Sequence, residues 1–590
     1  MTTISTDLSA KNKIGSVTIN DYRIIPVVFI PGVMGSNLKD GDDNVIWRYD
    51  DGLSLIGWSL PGSGPEERKK LLHPDRVQVD NRGVIISSQQ QEQQSQIMLD
   101  NPVNKYDSES IDRLGAALKK AQENDPETKL FGTRAARGWG EVAAGSYGSF
   151  LDLLQLALFR DKPCKDSPLN AIYKKLITEA LGVEFCSSGN SDSLDEQALE
   201  VMKQYQFPVH AMGYNWLGSN IKSADHLKSR INEIVQGYKS RGMKCHKVIL
   251  VTHSMGGLVA RYYSECLDLD DGKGNQNIYG VVHGVMPSTG AAPAYTRMKR
   301  GTENPESSTE GYIISQILGR NAAEMTAICS QSAGPLELLP SVDYGTDWLK
   351  ITDRHGVTTS LPGNDPYTDL YLKRDAWWKL IDENLLNPNN VSLNQAQIEI
   401  DWGVFDELIN SFVKPFHENI SGKYHSNTYS FYGKVDDDVI PPAYLTQETA
   451  RWKGSIAIGD AAVLKKKYIL NDGRLDYREI KEKRTVADTL SEKEQSWKVS
   501  SHGSGYMKSY NSEYVYIGQC FTLQDSSENG DGTVPLRAGK IPDRFVKERL
   551  NVNVSHEAAY RNETSLAFTL RSIIKIAQQV NDDEEMAYTE

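Results

Sequence analysis

The chain has 590 residues, 39% of them hydrophobic and 24% charged, with a formal net charge of −13. That length exceeds what one hydrophobic core usually supports, so a large core with insertions or two domains is expected. An acidic chain with no Lys/Arg block argues against nucleic acid as a partner and against electrostatic docking on anionic membranes.

Cys164, Cys186, Cys245, Cys266, Cys329 and Cys520 are scattered and form no CxxC, so neither a zinc site nor a disulfide framework is suggested. No metal and no cofactor is expected. The first residues, MTTISTDLSAKNKIGS, are polar and contain no secretory signal pattern. No apolar run approaches the ~18–20 residues that span a bilayer. The expectation is a protein made in the cytoplasm that meets lipid from outside the bilayer.

In chain order, IIPVVFI (24–30) reads as a fully buried strand followed by the glycine-bearing loop PGVMGSN. Residues 63–140, with PGSGPEERKK and SSQQQEQQSQ, read as an excursion from the core. SFLDLLQLALF (149–159) has a dense helical apolar pattern, which favours a buried cap helix over a lid. FPVHAMGYNW (207–216) reads as a strand and its exit. Residues 222–238 then place Leu227, Ile231, Ile234, Val235 and Tyr238 on one helical face. A strand at 248–251, a serine-bearing turn, a helix and the strand IYGVVHGV (278–285) follow. Such alternation implies right-handed crossovers and a parallel sheet covered on both faces. Residues 291–425 read as a cap or lid insertion, and strands resume at TYSFYG, YVYIGQ and LNVNVS before a last helix, SLAFTLRSIIKIAQQV. DDEEMAYTE is expected to fray. The expected organisation is therefore a core made of 1–62, 206–290 and 426–590, with insertions at 63–205, 291–425 and about 441–510.

The stretch VILVTHSMGGLVARYY (248–263) puts Ser254 between a buried strand and a helix, the context of a nucleophile elbow. Gly256 and Gly257 let the helix turn back against the strand, whereas Thr252 stands where the usual G-x-S-x-G has its first glycine. The competing reading is a helix N-cap serine. In an elbow fold the acid and the histidine follow the serine in that order. ENGDGTVPL offers Asp531 between two glycines, and NVNVSHEAAY puts His556 after a short strand. Both are expected beyond strand ends, at the sheet edge where such sites lie. Asp436, Asp437 and Asp438 compete for the acid, and His283, His417 and His502 for the base. An oxyanion needs two backbone N–H donors. Met255 supplies one, and the loop 31–35 the other, through Met34 or alternatively Val33. Gly32, His253, His283 and Trp216 are expected to line the site. LDLDDGKGNQN (267–277) faintly resembles an acidic calcium loop and is read as a solvated connection.

Together FIPGVMGSNL, AMGYNWLGSN, VTHSMGGLVARYY, NGDGTVPL and VSHEAAY resemble the lecithin:cholesterol acyltransferase-like lipases and the related GPI inositol-deacylase group. The resemblance implies an α/β-hydrolase fold, the triad Ser254, Asp531 and His556, and an oxyanion donor at Met34. It departs where the family's Tyr-Asp-Trp-Arg reads Tyr214-Asn215-Trp216-Leu217. VVHGVMPSTGAAPAYTRMKRG and ILGRNAAEMTAICSQSAGPLELLP are similar to bacterial lipase effectors delivered by type VI secretion. That likeness implies phospholipid as substrate and the periplasm of a target cell as the place of action. It also implies three partners: the target's membrane surface, a cognate immunity protein and a component of the secretion apparatus. An intracellular esterase or acyltransferase is the alternative reading, because fold does not fix substrate.

Overall fold

The computed structural model describes residues 22–48, 64–85, 126–159, 181–186, 194, 204–269, 272–302, 319–435, 440–441, 444–459, 468–469, 476–485 and 514–587. The strands of its two larger sheets are, in chain order, Val27–Ile30 (β1), Glu184–Phe185 (β2), Val209–Ala211 (β3), Val248–His253 (β4) and Ile278–Gly284 (β5). Leu349–Thr352 (β6), Thr358–Leu361 (β7), Thr428–Gly433 (β8) and Ala450–Gly459 (β9) follow. Tyr468–Ile469 (β10), Asp476–Thr485 (β11), Tyr514–Leu523 (β12) and Glu548–Val552 (β13) complete the series. Four helices matter for the site: Ala144–Leu158 (α1), Asn220–Lys239 (α2), Gly256–Glu265 (α3) and Glu563–Gln578 (α4).

The central sheet has the order β2-β13-β8-β5-β4-β1-β3. Neighbours are parallel except β2, which runs antiparallel to β13 at one edge. A parallel sheet is covered on both faces, so its strands are apolar on both sides; all of β1 and β4 is buried. Val27 and Phe29 share a core with Phe150 and Leu154 of α1 and Ile573 of α4. Val28 and Ile30 join Leu227 and Ile231 of α2 and Leu258 of α3 in a second core. The period of two along β1 thus hands alternate side chains to two helical layers.

α1 carries the dense apolar run, and Phe150, Leu151, Leu154 and Leu158 are all buried. Fully burying one such side chain contributes about 1.5–3 kcal/mol, so α1 is a wall of the core. α2 starts where Ser219 Oγ accepts the Ile221 N–H at 3.1 Å. Its buried stripe contains the five residues expected from spacing, Leu227, Ile231, Ile234, Val235 and Tyr238.

A second, six-stranded sheet has the order β7-β6-β9-β12-β11-β10. β6 and β7 precede the core strand β8 in the chain, and β9 to β12 follow it. β6 lies parallel to β9, with Leu349 opposite Ala450, so segments from either side of β8 form one layer. An aromatic cluster seals it, with Trp377 centred 5.2 Å from Trp452 and 4.6 Å from Phe521. YVYIGQ therefore belongs to this sheet, where sequence reading aligned it with the core strands. A short alternating run specifies a strand but not its neighbour, which is chosen by distant segments.

As far as Ala587, where the described residues end, the tail expected to fray is docked instead. Met586 is buried in the first core. Its carbonyl accepts from Tyr205 Oη at 3.2 Å. Asp583 accepts from His246 Nδ1 and from Tyr279 Oη, both at 2.9 Å. Among the described residues no helix is long and apolar enough to cross a membrane.

Candidate active site

Ser254 sits between β4 and α3 with φ of +50°, a left-handed conformation that costs an L-residue about 1–2 kcal/mol. Two hydrogen bonds hold it there: Ser254 N–H to Gly284 O and Gly257 N–H to Ser254 O, each 3.0 Å. A side chain on the first glycine that follows would meet backbone, and one on the second would meet the Met286 side chain. A Cβ on Gly256 would stand 2.4 Å from Pro31 O, and one on Gly257 2.4 Å from Met286 Sδ. Thr252, the departure from the usual pattern, is buried, and its Oγ1 shares a 2.8 Å hydrogen bond with His283 Nδ1. Burial, with Arg261 nearby, pushes the His283 imidazole down to about 3, so it is neutral. His283 thus lies beneath the turn, bonded to Thr252.

Ser254 Oγ is 2.9 Å from His556 Nε2, and His556 Nδ1 is 2.8 Å from Asp531 Oδ2. The other Asp531 oxygen, Oδ1, accepts the N–H groups of Thr533 at 2.9 Å and Val534 at 2.6 Å. Ser254 and Asp531 are 3% and 2% exposed, which keeps water from competing for these bonds. His556 follows β13, and its backbone N–H donates to Asp531 O at 2.8 Å. A hydroxyl, an imidazole and a carboxylate in this line can pass the hydroxyl proton to the ring while the carboxylate fixes the tautomer.

Asp531 does not follow a strand of the central sheet. It leaves the second sheet after β12 and lies against the end of β8, where a Cβ on Gly433 would stand 2.4 Å from Asp531 Cβ. Asn529 fastens this loop, accepting Val435 N–H at 3.0 Å and donating to Val435 O at 2.6 Å. Thr446 Oγ1 accepts Gly532 N–H at 2.8 Å. Asp436, Asp437 and Asp438, the competing acids, lie outside the described residues, as does His502. His417 is far from a base role here: its Nδ1 meets Tyr367 Oη at 2.7 Å and its Nε2 donates to Glu337 O at 2.8 Å.

The loop 31–35 after β1 abuts the serine, since a Cβ on Gly32 would stand 2.9 Å from Ser254 Cβ. Met34 has φ of +66°, and its carbonyl accepts from Trp47 Nε1 at 2.8 Å. Trp216 is fully buried and packs edge-on against Trp47 with centroids 5.3 Å apart, so it backs the loop from the core. Val33 occupies the same turn, closed by Gly35 N–H to Gly32 O at 3.0 Å. Met255 opens α3 directly after Ser254. Asn215, where the family pattern has Asp, donates to Pro74 O at 2.7 Å and Val77 O at 3.1 Å. A carboxylate has no N–H for those carbonyls.

Sequence reading missed Tyr147, Tyr214 and Gly433, which surround the site. Tyr214 Oη donates to Pro31 O at 3.0 Å, and Tyr147 Oη meets His253 Nδ1 at 2.9 Å. Tyr147 and Gly433 carry no local motif, so distance along the chain hid them, whereas Tyr214 stands inside AMGYNWLGSN with no role assigned to it there. Cys186, Cys245, Cys266 and Cys329 are free. No group of His, Cys, Asp and Glu among the described residues is placed to hold a metal. In the loop 267–277, Asp268 is paired with Lys273.

A nearly all-parallel sheet with helices on both faces and a strained serine between strand and helix defines an α/β-hydrolase fold. Residues 191–273, which contain β3, α2, β4 and the serine turn, match the PGAP1-like alpha/beta domain. The chain is also similar to a solved structure, the crystal structure of the Tle4-Tli4 complex. That likeness spans 94% of this chain and 99% of the other at 27% identity, with a TM-score of 0.65. No curated protein matches the chain. Both matches support the resemblances read from the motifs.

Proposed function

We propose that the chain is a serine lipase or phospholipase that hydrolyses acyl esters of membrane lipids. The observation that carries this reading is the unbroken hydrogen-bonded line from Ser254 Oγ through His556 to Asp531. His556 Nε2 takes the Ser254 proton as Oγ attacks the ester carbonyl. Asp531 holds the proton on Nδ1 and stabilises the imidazolium. The N–H groups of Met255 and of Met34 or Val33 stabilise the oxyanion, after which His556 protonates the leaving alcohol. Water, deprotonated by His556, then releases the fatty acid from the acyl-serine.

The similarity to a protein crystallised as the Tle4-Tli4 complex, together with the type VI motifs, supports an antibacterial effector. Its site of action is then the periplasm of a target cell, reached by type VI secretion. Its partners are the target's phospholipid surface, a secretion component and a cognate immunity protein.

The test is product analysis on phosphatidylethanolamine/phosphatidylglycerol vesicles with wild type and Ser254→Ala. Free fatty acid plus lysophospholipid from wild type alone is the expected result, with the retained chain assigning the bond. Equal release by the variant would remove Ser254 from the reaction. Turnover of short-chain esters without release from vesicles would move the substrate towards small intracellular esters.

A further inference from the structure

The residue before the nucleophile has no part in the reaction just described, yet it connects both halves of the site. His253 is buried beside Ser254 at the end of β4. Its Nε2 lies 2.9 Å from the backbone carbonyl of His556. A carbonyl only accepts, so Nε2 carries the proton and Nδ1 is bare. Nδ1 therefore accepts the hydroxyl proton of Tyr147, 2.9 Å away, and Tyr147 Oη accepts the N–H of Gly32 at 3.3 Å. A directed chain results: Gly32 N–H to Tyr147 O–H to His253, then His253 N–H to the His556 carbonyl. One end is the loop of the expected oxyanion donor. The other is the backbone of the base.

The surrounding residues are shaped to this pair. A Cβ on Gly32 would stand 2.9 Å from His253 Nδ1, and one on Gly35 2.8 Å from Tyr147 Oη. Both glycines of PGVMG thus leave room for the chain's two side chains. Tyr147 projects from the first turn of α1 and packs on Phe29 of β1, with centroids 5.0 Å apart. The His253 ring is 5.1 Å from the His556 ring. Burial, and then the His556 ring, push His253 down to about 3, so it keeps one proton and one direction of bonding at neutral pH.

We propose that Tyr147 and His253 are positioning residues that tie the oxyanion loop to the base, so that both meet the substrate in one fixed geometry. This rests on the esterase reading above. A misplacement of about 1 Å can cost about a hundred-fold in rate. The pair's hydrogen bonds run to Gly32 N–H, to each other and to the His556 carbonyl and not to Ser254 Oγ, so its loss is expected to fall on kcat.

The experiment is steady-state hydrolysis of a short-chain p-nitrophenyl ester by the full chain, with thermal unfolding measured in parallel. The variants are Tyr147→Phe, His253→Phe, His253→Gln, the double Tyr147→Phe/His253→Phe, and Ser254→Ala. Tyr147→Phe and His253→Phe are each expected to lower kcat about ten- to a hundred-fold with KM changed less than about two-fold. The double variant is expected to lose no more than the worse single, because one chain is broken in either case. His253→Gln, whose amide N–H can reach the His556 carbonyl, is expected to recover part of the loss. Retained kcat in both single variants, multiplied losses in the double, or losses that follow the folded fraction alone would overturn the inference. So would equal loss in His253→Gln and His253→Phe. Turnover that survives Ser254→Ala would instead remove the esterase reading and this inference with it. Turnover that needs Ser254 but neither Tyr147 nor His253 would remove the inference alone.

Discussion

Ser254 combines a polar side chain with a backbone conformation that glycine adopts at no steric cost. The strain is held by β4 and α3, whose hydrogen bonds to Gly284 and from Gly257 leave the turn no softer alternative. Comparing Ser254→Gly with Ser254→Ala isolates that strain, since both lack the hydroxyl. Ser254→Gly is expected to unfold at higher urea, by about 0.5–1 kcal/mol, the left-handed penalty less the extra freedom of glycine in the unfolded chain. Equal midpoints would mean that the turn relaxes once the serine is gone. Thr252 illustrates how a departure from a motif is absorbed: a β-branched side chain suits a buried strand, and His283 satisfies its hydroxyl.

At the scale of elements, the start of α2 bears on pH dependence. Glu337 is fully buried and accepts from Ser219 Oγ at 2.7 Å and from Asn220 N at 2.8 Å, so a carboxyl group crowns the helix N-terminus. Burial raises it from 4.5 to about 7, against the lowering by those hydrogen bonds. Between these values the folded protein keeps the proton and the unfolded chain releases it. The group's contribution is full below about 4.5 and is lost as pH rises through about 7. The expected size is roughly 3 kcal/mol across that window. Urea unfolding at pH 5, 6, 7 and 8 should show this decline in wild type and a flatter profile in Glu337→Gln, which keeps an acceptor without the charge. Parallel profiles would show that Glu337 is ionised throughout.

For the whole molecule, the acid arrives by way of a second sheet, so the site depends on how two layers meet. Gly433 at the end of β8 is the contact point, with no room for a methyl group beside Asp531. Gly433→Ala is therefore expected to lower kcat about ten-fold or more by displacing the carboxylate from His556, with KM little changed. The comparison is ester hydrolysis alongside thermal unfolding, and unchanged kcat would mean that the acid loop yields without cost. The docked tail belongs to the same scale. Met586 fills the first core, and His246 and Tyr279 hold Asp583, so this stretch is anchored at both points.

Much of this was legible along the chain, for local reasons. The helical stripe of α2 and the buried runs of β1, β4, β5 and β8 follow from periodicity and burial. Ser254, Asp531 and His556 stood out because glycines and strand ends flank them. What the residues themselves determined was which segments could be strands, which turn could bear a strained serine, and which acid and histidine were available to it. The tertiary structure alone decided that YVYIGQ joins the second sheet, that the tail docks, that Gly433 receives Asp531, and that Tyr147 reaches His253 from 106 positions away. Local pattern is set by neighbours three or four residues off, whereas these contacts are set by the packing of remote layers, which no short stretch of sequence encodes.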